Sequence, residues 1–365
     1  MEEAHIERYM MQTETSAVVI ASEQMELQEF PIPSIGPEEM LLRVEMVAIC
    51  GSDPHHYSGG KYNIFPKILG HEMVGFVEKV GEKAAQDYGV TVGERIVVEP
   101  YIPCWRCRYC ATGYYQLCPQ RRIYGVNMSC KEPPHLWGAY GEYMYVAPAS
   151  RVHKIGRHVS PQAAALSSVI GNGVRWVVTK GKLRVGEAVA IVGPGALGLA
   201  STIVAHHAGA DRIIVLGLRT DERRLKFAQG CGATHTLVNE EEDVAARVKE
   251  ICQGELPSLV IEASGSPEGI NTALSLVRPA GTCVISGNTG KLTSIDTDAI
   301  VRNEIQILGG LGQSRDVEAA IKIIEGGRYP IDQMIGRVYR LREAEQALQH
   351  FMDHPRDTIR CGLRI

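Results

Sequence analysis

"AVAIVGPGALGLASTIVA", residues 188–205, decides the fold. It opens as an apolar run of strand length and ends as the unbroken apolar and small residues of a packed helix, with a Pro-Gly turn between. Its length approaches that of a membrane span, but Pro194 and Gly195 divide it into strand and helix. Gly193, Gly195 and Gly198 form G-x-G-x-x-G across that turn. In this setting glycine permits the tight turn, lets a pyrophosphate approach backbone N–H groups and allows close helix packing. Gly193, Gly195, Leu197 and Gly198 are therefore candidate dinucleotide contacts, with an ordinary glycine turn as the alternative.

Downstream, strand-like runs continue at 212–217, 258–264, 281–287 and 304–310, with helical segments between most of them. Short apolar strands alternating with helices predict an α/β fold with a doubly wound parallel sheet. Just upstream, "SPQAAALSSVIGNGVRWVVTKG" reads as one helix started by Ser160 with Pro161 inside it. An NAD site places an acidic residue at the end of the second strand to bind the adenosine ribose hydroxyls. This chain has "VLGLRTDERR" there. Asp211 lies at the strand's other end, and Asp221 and Glu222 read as first-turn helix residues. Gly217 removes the acid and Arg219 offers a planar cation for a 2′-phosphate, so NADP is favoured and NAD stays open.

Before residue 150 the texture differs. Valine-rich alternating runs separated by Gly and Pro predict a β-rich, barrel-like region. Within it, "CWRCRYCATGYYQLC" spaces Cys104, Cys107, Cys110 and Cys118 as C-x2-C-x2-C-x7-C. That spacing folds four thiolates around one tetrahedral zinc, a closed site that stabilises a loop; a redox cluster is the alternative. The other cysteines are scattered. The 365 residues carry 38 basic and 42 acidic side chains, 45% hydrophobic content and no long basic run. That balance describes a soluble globular protein without a nucleic-acid or membrane partner, and it favours a small-molecule role. The polar, mixed-charge start "MEEAHIERYMMQTET" lacks an apolar signal core, so a cytoplasmic location is expected.

With these motifs stand "CGSDPHHY" (50–57), "LGHEMVGFVEKVGE" (69–82) and "GAYGEY" (138–143), in that order around the four cysteines. Together they resemble the zinc-containing medium-chain dehydrogenase/reductase family of alcohol, sorbitol and threonine dehydrogenases, from about residue 16 to the end. The resemblance implies a GroES-like β-rich catalytic domain over 1–169 and 311–365 and a Rossmann domain over 170–310. It implies a structural zinc on the four cysteines and a catalytic zinc on Cys50 and His71. Glu72 resembles the acid that ligates zinc directly in the sorbitol dehydrogenase branch. Ser52 and His55 match the proton relay, Asp53 the carboxylate supporting the ligand histidine, and Arg360 an arginine that meets the pyrophosphate. The family's remaining ligand position falls on Ser168, a poor zinc donor, so Glu72 and water would complete the site. Tyr57, Tyr62, Phe65 and Trp137 would line the substrate.

The implied activity is hydride transfer between an alcohol or polyol, or its carbonyl product, and NADP or NAD, by a homodimer or homotetramer. A competing reading is a non-redox nucleotide-binding module on the same fold with an impaired catalytic metal site.

Overall fold

The computed structural model describes residues 13–60, 62–240 and 243–365. The start of the N-terminal stretch read above, residues 1–12, lies outside them. The chain divides into two compact units, residues 1–165 with 335–365, and 166–334. No helix among the described residues is long and apolar enough to cross a membrane.

In the first unit a seven-stranded sheet runs in the order Val152–Lys154, Arg95–Val98, Glu72–Val80, Met40–Ala48, Arg360–Arg364, Ile335–Arg340, with Tyr143–Val146 also paired to Met40–Ala48. Thr13–Ala21 lies between Gln24–Pro31 and the short Lys67–Ile68 in a second, three-stranded sheet. The alternating Val, Leu and Met of these strands fill one core, which Ala344, Ala347 and Leu348 of the helix Ala344–Asp353 complete.

The second unit is a six-stranded parallel sheet. In chain order its strands are Ala188–Val192, Arg212–Gly217, His235–Val238, Leu259–Glu262, Thr282–Ile285 and Gln306–Gly309, and their spatial order is 3-2-1-4-5-6. This is the dinucleotide-binding topology, and its crevice opens at the strands' C-terminal ends between the first and fourth. His235–Val238 was absent from the sequence expectation. It has four residues, mostly half-buried or exposed, so the apolar signal of a buried strand is missing.

Two further expectations change. The helix begun at Ser160 is broken into Pro161–Ala165, Ser167–Val174 and a π-helical stretch Arg175–Lys180. The unit boundaries fall at 165/166 and 334/335 instead of 169/170 and 310/311. The reason is the helix Val317–Glu325, which packs on Ser167–Val174 so closely that a Cβ on Gly171 would stand 3.1 Å from Val317. Arg175 reinforces the pairing, with Nη1 3.3 Å from the buried Asp316 carboxylate.

Candidate active site

Strand register brings the first donor set together. Ala48 and Glu72 are antiparallel partners, so Cys50 leaves one strand where His71 enters the next. One donor atom from each of Cys50, His71 and Glu72 lies within 4.8 Å of the others. Gly70, at φ 95°, makes the approach possible, since a Cβ there would stand 2.5 Å from the Tyr140 ring.

Asp53 sits beneath this trio, fully buried. Its Oδ2 accepts from the Cys50 N–H at 2.8 Å and the Tyr140 hydroxyl at 3.1 Å, while Oδ1 faces His71 Nδ1 at 3.5 Å. Burial raises the Asp53 carboxyl above its ordinary value, and His71 pulls back against it. For His71 burial acts downwards, yet Cys50, Asp53 and Glu72 outweigh it and carry the imidazole up to about 10. A site that holds a histidine this tightly protonated is short of positive charge. The chemistry fits zinc: a thiol, an imidazole backed by a carboxylate and a carboxylate whose Oε2 has no hydrogen-bond partner.

The first unit supplies this trio without Ser168, which lies buried in the second unit on Ser167–Val174. Arg360, expected at a pyrophosphate, has a different partner: it is buried with Nη2 3.5 Å from Glu72 Oε1. Ser52 donates to Cys50 Sγ at 3.3 Å from the position just before the five-residue helix Asp53–Tyr57. His55 is exposed on that helix, and His56 is buried with Nδ1 lacking a hydrogen-bond partner. Burial, followed by His71, Lys67 and His55, lowers His56 to about 3, which keeps it neutral.

Of the expected lining residues, Tyr57 and Trp137 are core. Tyr57 donates to Glu345 at 2.6 Å, and Trp137 donates to the Glu132 carbonyl at 2.9 Å. Tyr62 and Phe65 remain half-buried beside His56 and Lys67 respectively.

The second donor set is local. Cys104, Cys107, Cys110 and Cys118 present sulfurs within 4.8 Å of one another, with Cys104 and Cys110 at 3.9 Å and Cys107 and Cys118 at 4.0 Å. Cys107 also caps the short helix Arg108–Ala111 by accepting from the Cys110 N–H. The backbone N–H of Arg106 draws the Cys104 thiol down to about 6, while burial pushes Cys110 up to about 12. Four thiols crowded this closely fit a closed tetrahedral zinc.

The glycine turn has the geometry its sequence implied. Gly193 has φ 99°, and a Cβ on Gly198 would stand 1.9 Å from the Gly193 carbonyl oxygen. Gly195 begins the helix Ala196–His207 with no side-chain cap and nothing within 4 Å of its Cβ position, leaving open space over the helix's N–H groups. Gly217 ends the second strand against Pro194 and Leu225, where a side chain would meet atoms at 2.9 Å and 3.1 Å. Asp221 is used locally: it accepts from the Leu218 N–H at 3.1 Å and faces Arg224 at 3.5 Å. Arg219 is exposed at this turn.

Sequence reasoning missed Glu262. This fully buried carboxylate at the end of the fourth strand accepts from the Ser264 N–H, the Ser264 hydroxyl and the Gly265 N–H at 2.7, 2.6 and 3.0 Å, and from the Gly287 N–H at 3.2 Å. It ties together two loops that border the crevice. Its only signal in sequence is an acid closing an apolar strand, "SLVIEAS".

The family model "Alcohol dehydrogenase GroES-like domain" matches residues 36–157, and "Zinc-binding dehydrogenase" matches 196–326. The chain belongs to the zinc-containing medium-chain dehydrogenase/reductase family. Among relatives of this dehydrogenase, the "Probable alcohol dehydrogenase adh" of Mycobacterium tuberculosis is 34% identical, covering 91% of this chain and 92% of the relative. A "D-arabitol-phosphate dehydrogenase" of Enterococcus avium is 31% identical, covering 91% and 92%. An Escherichia coli oxidoreductase/dehydrogenase of unknown specificity superposes with a TM-score of 0.88 at 26% identity, covering 97% of this chain and 99% of its own. The protein is thus an oxidoreductase with GroES-like and Rossmann architecture.

Proposed function

We propose that this dehydrogenase interconverts an alcohol or polyol and its carbonyl product, with zinc on Cys50, His71 and Glu72 and with NADP as the favoured cofactor. The observation that carries the reading is the donor trio with Asp53 behind its imidazole and the Ser52 hydroxyl 3.3 Å from Cys50 Sγ. Zinc bound there supplies a Lewis acid that lowers the pKa of the substrate hydroxyl. A bound nicotinamide supplies the acceptor for the hydride released from the substrate carbon.

The chain's own residues do the rest. Asp53 stands behind His71 with Oδ1 3.5 Å from Nδ1 and backs it electrostatically, and Arg360 faces one oxygen of Glu72 while the other stays free for the metal. Ser52, half-buried, takes the substrate proton, and exposed His55 one helical turn on passes it to solvent. Gly193, Gly195, Leu197 and Gly198 receive the pyrophosphate, and Gly217 with Arg219 accommodates a 2′-phosphate. We assign Arg360 to Glu72 instead of the cofactor. Cys104, Cys107, Cys110 and Cys118 hold a structural zinc. The reading extends to a cytoplasmic homodimer or homotetramer.

Metal analysis of the wild type and Cys50→Ala tests this. Two zinc ions per chain, falling to one in the variant with loss of alcohol-dependent NADPH formation, is the expected result. One zinc in both and no turnover across an alcohol panel would overturn it in favour of a non-redox nucleotide-binding module.

A further inference from the structure

Arginines gather at one corner of the first unit, away from the donor trio in the chain. Strand Ile335–Arg340 runs parallel to Arg360–Arg364 in a register that makes Arg340 and Arg364 direct partners. Register partners on adjacent strands project to the same face about 4.8 Å apart, and like charges so placed repel. Arg342 follows in the short 3-10 turn Leu341–Glu343.

All three line an open surface depression of about 480 Å³, with Thr15 and Glu142 on its wall. Arg340, Arg342 and Arg364 are all exposed. Among the described residues, Arg340, Arg342 and Arg364 form no ion pair, although they are brought together by the fold. Glu142 is already engaged, its Oε2 accepting from the Thr15 N–H at 2.8 Å. Counting that carboxylate, the wall still carries an excess positive charge. Leu27 and Leu341 add apolar surface.

We propose that this depression is a second binding site, for a small organic anion that presents a phosphate or carboxylate group to the Arg340–Arg364 pair. Guanidinium forks match the two-oxygen faces of both groups, and the volume is that of a small-ligand pocket. A bound anion would also relieve the repulsion built into the strand register. This inference does not depend on the proposed dehydrogenase reaction.

Titration calorimetry of the full chain tests it with inorganic phosphate in one arm and citrate in the other, each against chloride at matched ionic strength. The wild type and Arg302→Gln, at an exposed arginine of the second unit, should bind alike, while an Arg340→Gln/Arg364→Gln double variant should bind at least tenfold more weakly. Arg342→Gln alone should weaken binding severalfold. The arm with the larger heat identifies the preferred group. Undiminished binding by the double variant overturns the proposal, as does an equal loss of binding in Arg302→Gln, which would make the effect one of overall charge. A changed sedimentation coefficient of the double variant, with anion binding unaltered, would make the corner an interface between copies and also overturn it.

Discussion

Replacing Glu262 with glutamine should destabilise the second unit strongly despite leaving its shape unchanged. The carboxylate receives four donors, and all of them are N–H or O–H groups. An amide keeps only one oxygen. If that oxygen takes the three-donor position, the three bonds fall from charge-assisted to neutral, a loss of about 1 kcal/mol each, and the Gly287 N–H faces an NH2 group. The expected cost is about 3–4 kcal/mol, which for a unit of roughly 150–250 residues lowers the melting temperature by about 6–16 °C. Scanning calorimetry reads this directly. Ser264→Ala, which deletes the hydroxyl bond alone, should cost only about 1 kcal/mol and serves as the calibrating variant. A melting temperature within about 2 °C of the wild type for Glu262→Gln would show that the carboxylate does not organise these loops.

Three further outcomes are expected. Gly198→Ala drives a methyl group to 1.9 Å from the Gly193 oxygen, so dinucleotide affinity by fluorescence titration should fall more than tenfold; an unchanged Kd would refute the close packing. Arg219→Ala should lower the ratio of kcat/KM for NADP over NAD, and an unaltered ratio would contradict the assignment of the 2′-phosphate. Burial raises Glu14 from 4.5 to about 7 against the opposing bonds from Ser16, Tyr143 and Glu142. Because the folded pKa is the higher one, its contribution is full below pH 4.5, declines as pH rises towards about 7 and is flat above. The stability of the wild type relative to Glu14→Gln should therefore drop by roughly 3 kcal/mol over that window, at about 1.4 kcal/mol per unit; a pH-independent difference in urea unfolding would refute it.

What could be read from the sequence was local in the chain. The four cysteines span fifteen positions and the glycine turn six, so spacing alone carried their chemistry. The α/β alternation was legible because most strands of the parallel sheet are buried on both faces and read as apolar runs. His235–Val238 escaped because it is an edge strand without such a run. The 160–181 helix broke into three because its periodicity is continuous while its packing is not: Gly171, Gly173 and Gly181 each meet a different neighbour at close range. Tyr140 on Asp53, Arg360 on Glu72 and Arg340 beside Arg364 join residues 24 to 288 positions apart. Such partnerships are set by strand register, which no short motif encodes.

The final strand has a consequence for synthesis. Arg360–Arg364 is wedged between Met40–Ala48 and Ile335–Arg340, an interior place in the sheet of a unit most of whose strands emerge much earlier from the ribosome. While residues 166–334 are being made, the nascent N-terminal half must wait with an unfilled slot beside Met40–Ala48 and with Glu72 lacking its arginine. The inserted unit can complete its fold first, and the metal-binding half is closed only once Arg360–Arg364 has been translated. A ribosome stalled before Arg360 would release a chain with one finished unit and one exposed sheet edge, a natural substrate for chaperones.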